Sequence, residues 1–512
     1  MTARLPLVIW PLIAALAVQG QMLFNGFLYD DFVHMYTVSN LPLIEAITVP
    51  MGGHLLHTFT TVIWAVKSLF GMNPFAFLLI GLLVHLAAVY LLFQILSVLT
   101  GRAVLAAFGA TLWGINPFAA GALGWISVHG QVLATAAVLW VLLDIARCSQ
   151  SAGVLRNRIL ARHVILLLMA VTSFGVGLTS AVVLPLLILL WNPVPGERRR
   201  LLAVYGAVAL TVVVFYLLTM KLQGHPSDNL DDKVNLVKQG LGNIPMISAA
   251  FADLMAIGSS ALVLGPLLVG KLSVVSKEAL PMVAAMFALF FSLPLLVWGI
   301  WVAGSGERRR MLALLLLPCA AYGLIAVARV GGFLTLHAEA PRYHYFSPAI
   351  LVIVYGLLVS QLLDRLPART SRDGYLPYFI WLILVIVPFA MGTSPVNSKE
   401  SRLKRQEEQL ARSTRVLEKA LDESPGEGDI FIRNRPFSVF VWGYTPESFP
   451  GLAGLFVIRY PSNTVDGRRV YFLEESEELV EMARAQRGSR ISELLVYKPK
   501  GAKPVEKTRQ NR

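Results

Sequence analysis

The stretch "SLFGMNPFAFLLIGLLVHLAAVYLL", residues 68–92, decides the fold of this chain. From Pro74 onward it is long and apolar enough to form a helix across the hydrocarbon core of a membrane, which needs about 20 residues. Similar runs recur along the 512 residues, of which 56% are hydrophobic and 15% charged. Because a helix satisfies its own backbone groups inside lipid, the sequence predicts an all-α polytopic membrane protein.

We predict about 11 transmembrane helices, with further interfacial or re-entrant helices, in a membrane domain of residues 1–394. The first run, preceded by Arg4, is interpreted as an uncleaved signal anchor rather than a cleaved signal peptide. The predicted spans lie near 5–23, 75–98, 103–118, 121–145, 163–178, 179–193, 201–220, 280–303, 311–331, 346–364 and 376–393.

Clusters of arginine between alternate spans predict the orientation in a bacterial inner membrane. They comprise Arg102, Arg147, Arg156, Arg158, Arg162, Arg198 to Arg200, Arg308 to Arg310, Arg365, Arg369 and Arg372. A cytoplasmic N-terminus places all of them in the cytoplasm, as the positive-inside rule requires. The net charge of +13 therefore indicates topology and not nucleic-acid binding. The scheme requires that 245–272 cross the membrane an even number of times or not at all, so this segment is interpreted as a hairpin, re-entrant or surface-lying helix pair.

Three segments then lie on the extracytoplasmic side: the loops 24–74 and 221–279, and the tail from 395. In the tail, strand-like "DIFIR" and "RRVYFLE" alternate with helical segments such as "SEELVEMARA". This alternation predicts a small α/β domain over 395–500. Residues 501–512 have the composition of a disordered tail.

The first outer loop contains an acidic pair and three histidines. Asp30 and Asp31, with His34 close by, follow the first span, where a carboxylate can act as general base or can cap the next helix. His54 and His57 are spaced to share one helix face. They could bind phosphate, shuttle a proton, bind a divalent metal together with an aspartate, or serve as interfacial histidines.

The segment "GWISVHGQVLA", residues 124–134, forms a second outer patch. Trp125 suits an interfacial aromatic belt, whereas His129 and Gln131 are unusual at that depth and are candidates for supporting a site. His85, inside the run that decides the fold, is interpreted as a residue that packs or forms hydrogen bonds between helices.

The segment "LHAEAPRYHYFSPA", residues 336–349, forms a third outer patch just before a span. Arg342 has the planar donor fork that fits phosphate. Tyr343, His344 and Tyr345 follow it and could supply further hydrogen bonds. The alternative is an anchoring belt of tyrosine and arginine at the membrane surface.

In order and sidedness these pieces resemble the polytopic C-type glycosyltransferases, especially protein O-mannosyltransferases and transmembrane mannosyltransferases that carry tetratricopeptide repeats. The resemblance covers residues 20–365 loosely. It consists of "YDDF", "SLFGMNPFAFLLIGLLVHLAAVYLL", "GWISVHGQVLA" and "PRYHYFSPA". The tail shows no period near 34 residues, so no array of such repeats is expected.

The resemblance implies transfer of a sugar from a polyprenyl-phosphate donor to an extracytoplasmic acceptor hydroxyl, with inversion. Asp30 would be the base, with Asp31 as second choice or partner, and Arg342 would hold the carrier phosphate. The partners implied are this lipid-linked donor, the acceptor and membrane lipids. A transporter or flippase is disfavoured because no two-fold repeat is visible, and a catalytically degenerate envelope scaffold is the remaining alternative.

Overall fold

The computed structural model describes the membrane helices in detail and the tail in part. The described residues are 5–27, 31–40, 42–48, 54–151, 154–223, 242–267, 285–329, 341–365, 415, 418, 430–433, 464–465, 468–473 and 490–492. The chain divides into two compact units, residues 1–27 with 42–400 and residues 28–41 with 401–512.

The first unit is a bundle of helices. They are α1 (Leu5–Gln19), α3 (Leu43–Thr48), α4 (His57–Phe70), α5 (Pro74–Thr100), α6 (Ala103–Gly114), α7 (Ala119–Leu123), α8 (His129–Ser151), α9 (Asn157–Val171), α10 (Gly175–Trp191), α11 (Arg198–Gln223), α12 (Ile244–Leu267), α13 (Leu293–Val302), α14 (Ser305–Arg329) and α15 (Phe346–Arg365). The helix α2 (Asp31–Asn40) belongs to the second unit.

Seven helical segments of the described chain are long and apolar enough to cross a membrane. They are Leu7–Phe24, Pro74–Thr100, Ile126–Gln150, Pro195–Thr219, Ala285–Val302, Ser305–Val327 and Arg342–Arg365. Three shorter apolar helices are Ala103–Gly114, Gly175–Trp191 and Ile244–Ser260. A mostly helical, multi-pass membrane protein is thus confirmed. The count of about 11 stays a prediction, and the predicted span 376–393 lies outside the described residues.

The boundary between the predicted spans 163–178 and 179–193 is wrong by about four to seven residues. The helix α9 ends at Val171 and α10 begins at Gly175. The hydroxyls of Thr172 and Ser173 bond back to the carbonyls of Leu168 and Met169. Hydroxyls that compete in this way for backbone groups favour helix ends, which an uninterrupted apolar pattern does not reveal.

The arginine clusters of the described chain lie together at one end of the helices, here called the basic end. Arg102 forms an ion pair of 2.7 Å with Asp364, at the far terminus of α15. The neighbouring Arg365 donates to the carbonyl of Val302, at the end of α13. Loops far apart in sequence are thereby held at the same end.

Two further arginines complete this arrangement. Arg200 donates to the carbonyl of Leu155 at 3.2 Å, which ties the start of α11 to the loop before α9. Arg310 stacks over the ring of Trp191, 5.5 Å from its centroid, so the start of α14 lies beside the end of α10. The shared sidedness predicted from the sequence is therefore present, except for Arg369 and Arg372, which lie outside the described residues.

The hairpin or helix pair predicted for 245–272 is wrong where the structure describes this segment. Residues Ile244–Leu267 form one continuous helix, α12. Gly258 lies inside this helix, where the lack of a side chain lets α12 approach α14 closely. A methyl group at Gly258 would lie 2.0 Å from the hydroxyl of Tyr322. Close packing offsets the helix penalty of glycine, about 1 kcal/mol.

A buried polar network joins α8, α9 and α11 nearer the basic end. Asp144 accepts hydrogen bonds from Arg162 at 2.5 Å and from the Nε2–H of His163 at 3.1 Å. The other ring nitrogen of His163 pairs with the hydroxyl of Tyr205 at 2.6 Å. A buried carboxylate is retained only when its charge is compensated in this way.

The described residues of the second unit comprise α2 and four strands, β1 (Ile430–Arg433), β2 (Thr464–Val465), β3 (Arg468–Leu473) and β4 (Arg490–Ser492). The strand order is β2-β3-β1-β4. Strand β1 pairs in parallel with β3 and β4, while β2 and β3 are antiparallel. The strands predicted at "DIFIR" and "RRVYFLE" are confirmed. The predicted helix "SEELVEMARA" lies outside the described residues, so the α/β domain stays a prediction.

Candidate functional site

The second and third sequence patches meet at the helix ends opposite the basic end. The guanidinium carbon of Arg342 lies 5.2 Å from the centroid of the Trp125 ring and 5.0 Å from that of Tyr343. Trp125 stands before α8, and Arg342 stands before α15 in a short 3-10 turn, Pro341–His344. Stacking on aromatic faces fixes a guanidinium without neutralising its charge.

Behind Arg342, Tyr345 is hydrogen-bonded into the helix core. His85 contacts the carbonyl of Gly114 at 3.0 Å through Nε2 and the hydroxyl of Tyr345 at 2.8 Å through Nδ1. Since a carbonyl only accepts, Nε2 carries the proton, and the tyrosine hydroxyl donates to Nδ1. The indole of Trp113 donates to the Tyr345 carbonyl at 3.0 Å. His85 is therefore an interhelical hydrogen-bonding residue, as expected.

His344 is held by α14 and by the residue that precedes α7. Its Nδ1 lies 2.9 Å from the hydroxyl of Tyr322 on α14, and both residues are buried. The ring of Phe118 meets the imidazole edge-on at 5.2 Å between centroids. These contacts lock the turn that carries Arg342 against α14. His344 and Tyr345 thus position the turn, whereas Arg342 and Tyr343 are only partly buried.

His129 and Gln131 are buried at the start of α8. The Nε2–H of His129 donates to the carbonyl of Leu123 at 3.0 Å, which satisfies the end of α7. Gly81 makes room for the imidazole, since a methyl group there would lie 2.4 Å from the ring. Gln131 is 2% exposed, and its backbone carbonyl accepts a hydrogen bond from the hydroxyl of Thr135. His129 therefore holds the end of α7, next to Trp125, against the start of α8.

The two histidines of "GGHLLH" contact aromatic rings in the same unit. His54 stacks on Phe174 with centroids 4.5 Å apart, at the start of α10. His57 begins α4 and tilts against Phe215, 5.6 Å away. Burial lowers the pKa of His57 below its ordinary 6.5, so the neutral form is favoured.

The acidic pair is only partly described. Asp30 lies outside the described residues, and Asp31 begins α2 of the second unit, where it is buried. His34 lies one turn further on, and burial lowers its pKa to about 4. Within the described residues no group of three or more His, Cys, Asp or Glu side chains is arranged to hold a metal ion. A divalent metal in the first loop stays a prediction.

Sequence reasoning missed Tyr322 and Trp113, which hold the Arg342 turn. The signal was present for Tyr322: a hydroxyl inside the apolar run "PCAAYGLIA" requires a partner within the bundle. Trp113 lies in an apolar run, where a tryptophan by itself does not indicate its partner. Its partner, the Tyr345 carbonyl, is 232 residues away in the chain.

No protein-family model and no curated protein sequence matches the chain. Among solved structures, it is similar to ArnT from Cupriavidus metallidurans bound to undecaprenyl phosphate. That likeness has 14% identity and a TM-score of 0.49 and covers 94% of this chain and 88% of ArnT. The chain is also similar to the Archaeoglobus fulgidus oligosaccharyltransferase tethered with an acceptor peptide containing the NVT sequon. That likeness has 12% identity and a TM-score of 0.43 and covers 91% of this chain and 63% of the oligosaccharyltransferase.

Both proteins belong to the C-type glycosyltransferases, the superfamily that the sequence motifs resemble. At these TM-scores the likeness carries no argument about activity.

Proposed function

We propose that this protein is a membrane glycosyltransferase that moves a sugar from a polyprenyl-phosphate carrier to an extracytoplasmic acceptor hydroxyl. The observation that carries the proposal is the contact between Trp125 and Arg342 at the end opposite the arginine clusters. Two motifs of the resemblance, distant in sequence, meet there in one place. The acceptor is a hydroxyl of a protein, a lipid or a glycan.

Arg342 binds the carrier phosphate in this proposal, and the hydroxyl of Tyr343 lies beside it. The phosphate gains negative charge as the bond between the sugar and its oxygen breaks. A fixed guanidinium therefore stabilises the transition state more than the bound donor, which is the requirement for catalysis. The rings of Trp125 and Tyr343 restrict the guanidinium, so little of its freedom is lost when the donor binds.

The first-loop acid acts as general base. The carboxylate of Asp30, or of Asp31, takes the proton of the acceptor hydroxyl while that oxygen attacks the anomeric carbon. The bond to the phosphate oxygen breaks, and its electron pair leaves with the polyprenyl phosphate. Attack from the face opposite the leaving group inverts the anomeric centre. This assignment rests on the "YDDF" motif.

Sugar transfer by purified full-length protein in liposomes tests the proposal. Radiolabelled mannosyl and glucosyl polyprenyl phosphates serve as donors, and movement of label out of the lipid fraction is measured. At least one of the variants Asp30→Asn and Asp31→Asn is expected to lower the rate of transfer by about 10²–10⁴-fold, which is the contribution of general-base catalysis. Glu45→Gln is the matched control, because Glu45 is an exposed acid of the same loop.

Unchanged rates in both aspartate variants would refute the mechanism. Donor binding without any transfer by the wild-type protein would favour a scaffold instead. Loss of transfer in EDTA, with recovery on adding Mg²⁺ or Mn²⁺, would assign the divalent metal predicted for the first loop.

The proposed orientation places the basic end in the cytoplasm of a bacterial cell. Gly196 lies at this end with open space around it. Gly196→Cys is therefore expected to resist an impermeant thiol reagent added to spheroplasts and to react after lysis. Labelling before lysis would invert the topology.

A further inference from the structure

The chain contains one five-residue turn twice. "GERRR" occurs at residues 196–200 and again at 306–310; the first copy joins a 3-10 turn to the start of α11, and the second lies in the first turns of α14. In both copies the third arginine pairs back with the glutamate: Arg200 with Glu197 at 2.8 Å, and Arg310 with Glu307 at 2.9 Å. The two copies, here called the GERRR turns, thus share their sequence and this ion pair.

The first arginine of each copy turns toward the helix that precedes it. Arg198 reaches the carbonyl of Leu189 at 3.5 Å, and Arg308 donates to the carbonyls of Ile300 and Trp301 at 3.0 and 2.8 Å. These carbonyls lie in the last turn of a helix, where a cation is favourable. The first and third arginines therefore serve the fold.

The middle arginines have no such role. Arg199 is exposed and, within the part of the chain that the structure describes, forms no hydrogen bond or ion pair. Arg309 is exposed as well, and only its Nε is engaged, with the carbonyl of Ser305 in its own turn. Each copy keeps a net charge of +2, since one glutamate faces three arginines.

Both turns border the same helix end. Arg198 contacts Leu189 and Arg310 covers Trp191, so the last turn of α10 separates the two copies. The surroundings are apolar and exposed: Leu190 is 37% exposed and Trp301 is 73% exposed. Exposed apolar side chains next to a charged patch at the end of a membrane helix indicate contact with lipid rather than with a soluble partner.

We propose that the two GERRR turns form a binding surface for the phosphate headgroups of anionic phospholipids in the leaflet at the basic end. Arg199 and Arg309 bind the headgroup phosphates on either side of the end of α10. The acyl chains lie along Leu190 and its neighbours. The arginines of the turns that pair with glutamate or with carbonyls hold the middle ones in place.

The experiment measures lipid binding by the full-length protein in neutral detergent with phosphatidylcholine. Phosphatidylglycerol and cardiolipin are titrated while bound lipid is followed by native mass spectrometry, and thermal unfolding is followed in parallel. Arg199→Gln and Arg309→Gln are each expected to weaken binding on the order of fivefold, and the double variant about 25-fold, because a surface arginine contributes about 1 kcal/mol to attraction by anionic lipid. Inorganic phosphate and glycerol 3-phosphate are expected to compete poorly.

Arg158→Gln is the matched control. Arg158 is exposed at the same end and loses the same charge, but it lies outside both turns. Equal loss of binding in this control and in the double variant would overturn the proposal in favour of a diffuse charge effect. Unchanged binding in the double variant, equal binding of phosphatidylcholine, or full competition by inorganic phosphate would also overturn it. If the double variant does not fold, the two single variants test whether these arginines bind the lipid. The variant Arg199→Lys with Arg309→Lys, which retains the charge, serves the same purpose.

Discussion

The two ends of the helix bundle use polar residues in different ways. At the basic end, Arg102, Arg200 and Arg310 pair with carboxylates, and Arg308 caps helix carbonyls. At the opposite end, neutral hydrogen bonds between histidine, tyrosine and tryptophan position a turn that carries Arg342. Charges therefore fix helix positions at one end, while at the other a neutral framework holds one positively charged side chain in place. Changes at the two ends should accordingly separate stability from activity.

Asp144→Ala should have the largest effect. It leaves Arg162 and the buried His163 without their shared carboxylate, so we expect a loss of about 3–5 kcal/mol in the free energy of unfolding. Sugar transfer per folded molecule should stay near the wild-type value. Thermal unfolding in detergent measures the first quantity, and the liposome assay measures the second.

Asp364→Ala is the control for that loss. Asp364 forms an ion pair with Arg102, but its side chain is 66% exposed. An exposed pair contributes at most about 1 kcal/mol. If Asp144→Ala abolished transfer in protein that remains folded, the separation of stability at the basic end from activity at the opposite end would be wrong.

Arg342→Gln should have the next largest effect, on the donor and not on folding. Loss of a charge-assisted hydrogen bond to phosphate corresponds to about 2 kcal/mol, or about 30-fold in kcat/KM for the lipid donor. Arg342→Lys should recover part of this, since it keeps the charge but lacks the planar fork. The melting temperature should change little. Wild-type donor kinetics in Arg342→Gln would remove the arginine from the proposed site.

Tyr322→Phe should give a smaller effect of the same kind. It removes the hydroxyl that holds His344, and such a hydrogen bond contributes about 1 kcal/mol. We therefore expect roughly a fivefold loss in kcat/KM through misplacement of the Arg342 turn. Tyr90→Phe is the matched control, because Tyr90 is 42% exposed on α5. Equal effects of the two changes would mean that the hydroxyl of Tyr322 does not position the turn.

The smallest effect should come from the pH dependence that His57 contributes. Burial lowers its pKa in the folded protein below 6.5, so the unfolded chain binds the proton more readily. The free energy of unfolding should therefore fall as the pH is lowered through this value and stay level above it. His57→Gln should flatten the change in melting temperature between pH 7.5 and 5.5. A profile identical to wild type would show that folding does not lower the pKa of His57.

Several contacts show where prediction from sequence stopped. The Arg342 and Trp125 segments were placed on the same side of the membrane from the arginine pattern alone, and their contact follows that sidedness. The partner of His85, Tyr345, could not be predicted from the sequence, because it depends on which faces of the helices meet. The hairpin predicted at 245–272 failed for a different reason: it was inferred only from the number of crossings that the arginine pattern requires, whereas Ile244–Leu267 forms one continuous helix.

The sequence by itself determined the membrane class, the approximate spans and the common side of the arginine clusters. Apolar length and charge act locally against the bilayer, so they can be read without knowing any neighbour. Only the tertiary structure decided that Trp125 and Tyr343 frame Arg342, that Asp144 bonds His163, and that the two GERRR turns border one helix end. Such contacts depend on the rotation and packing of whole helices, which many residues set together.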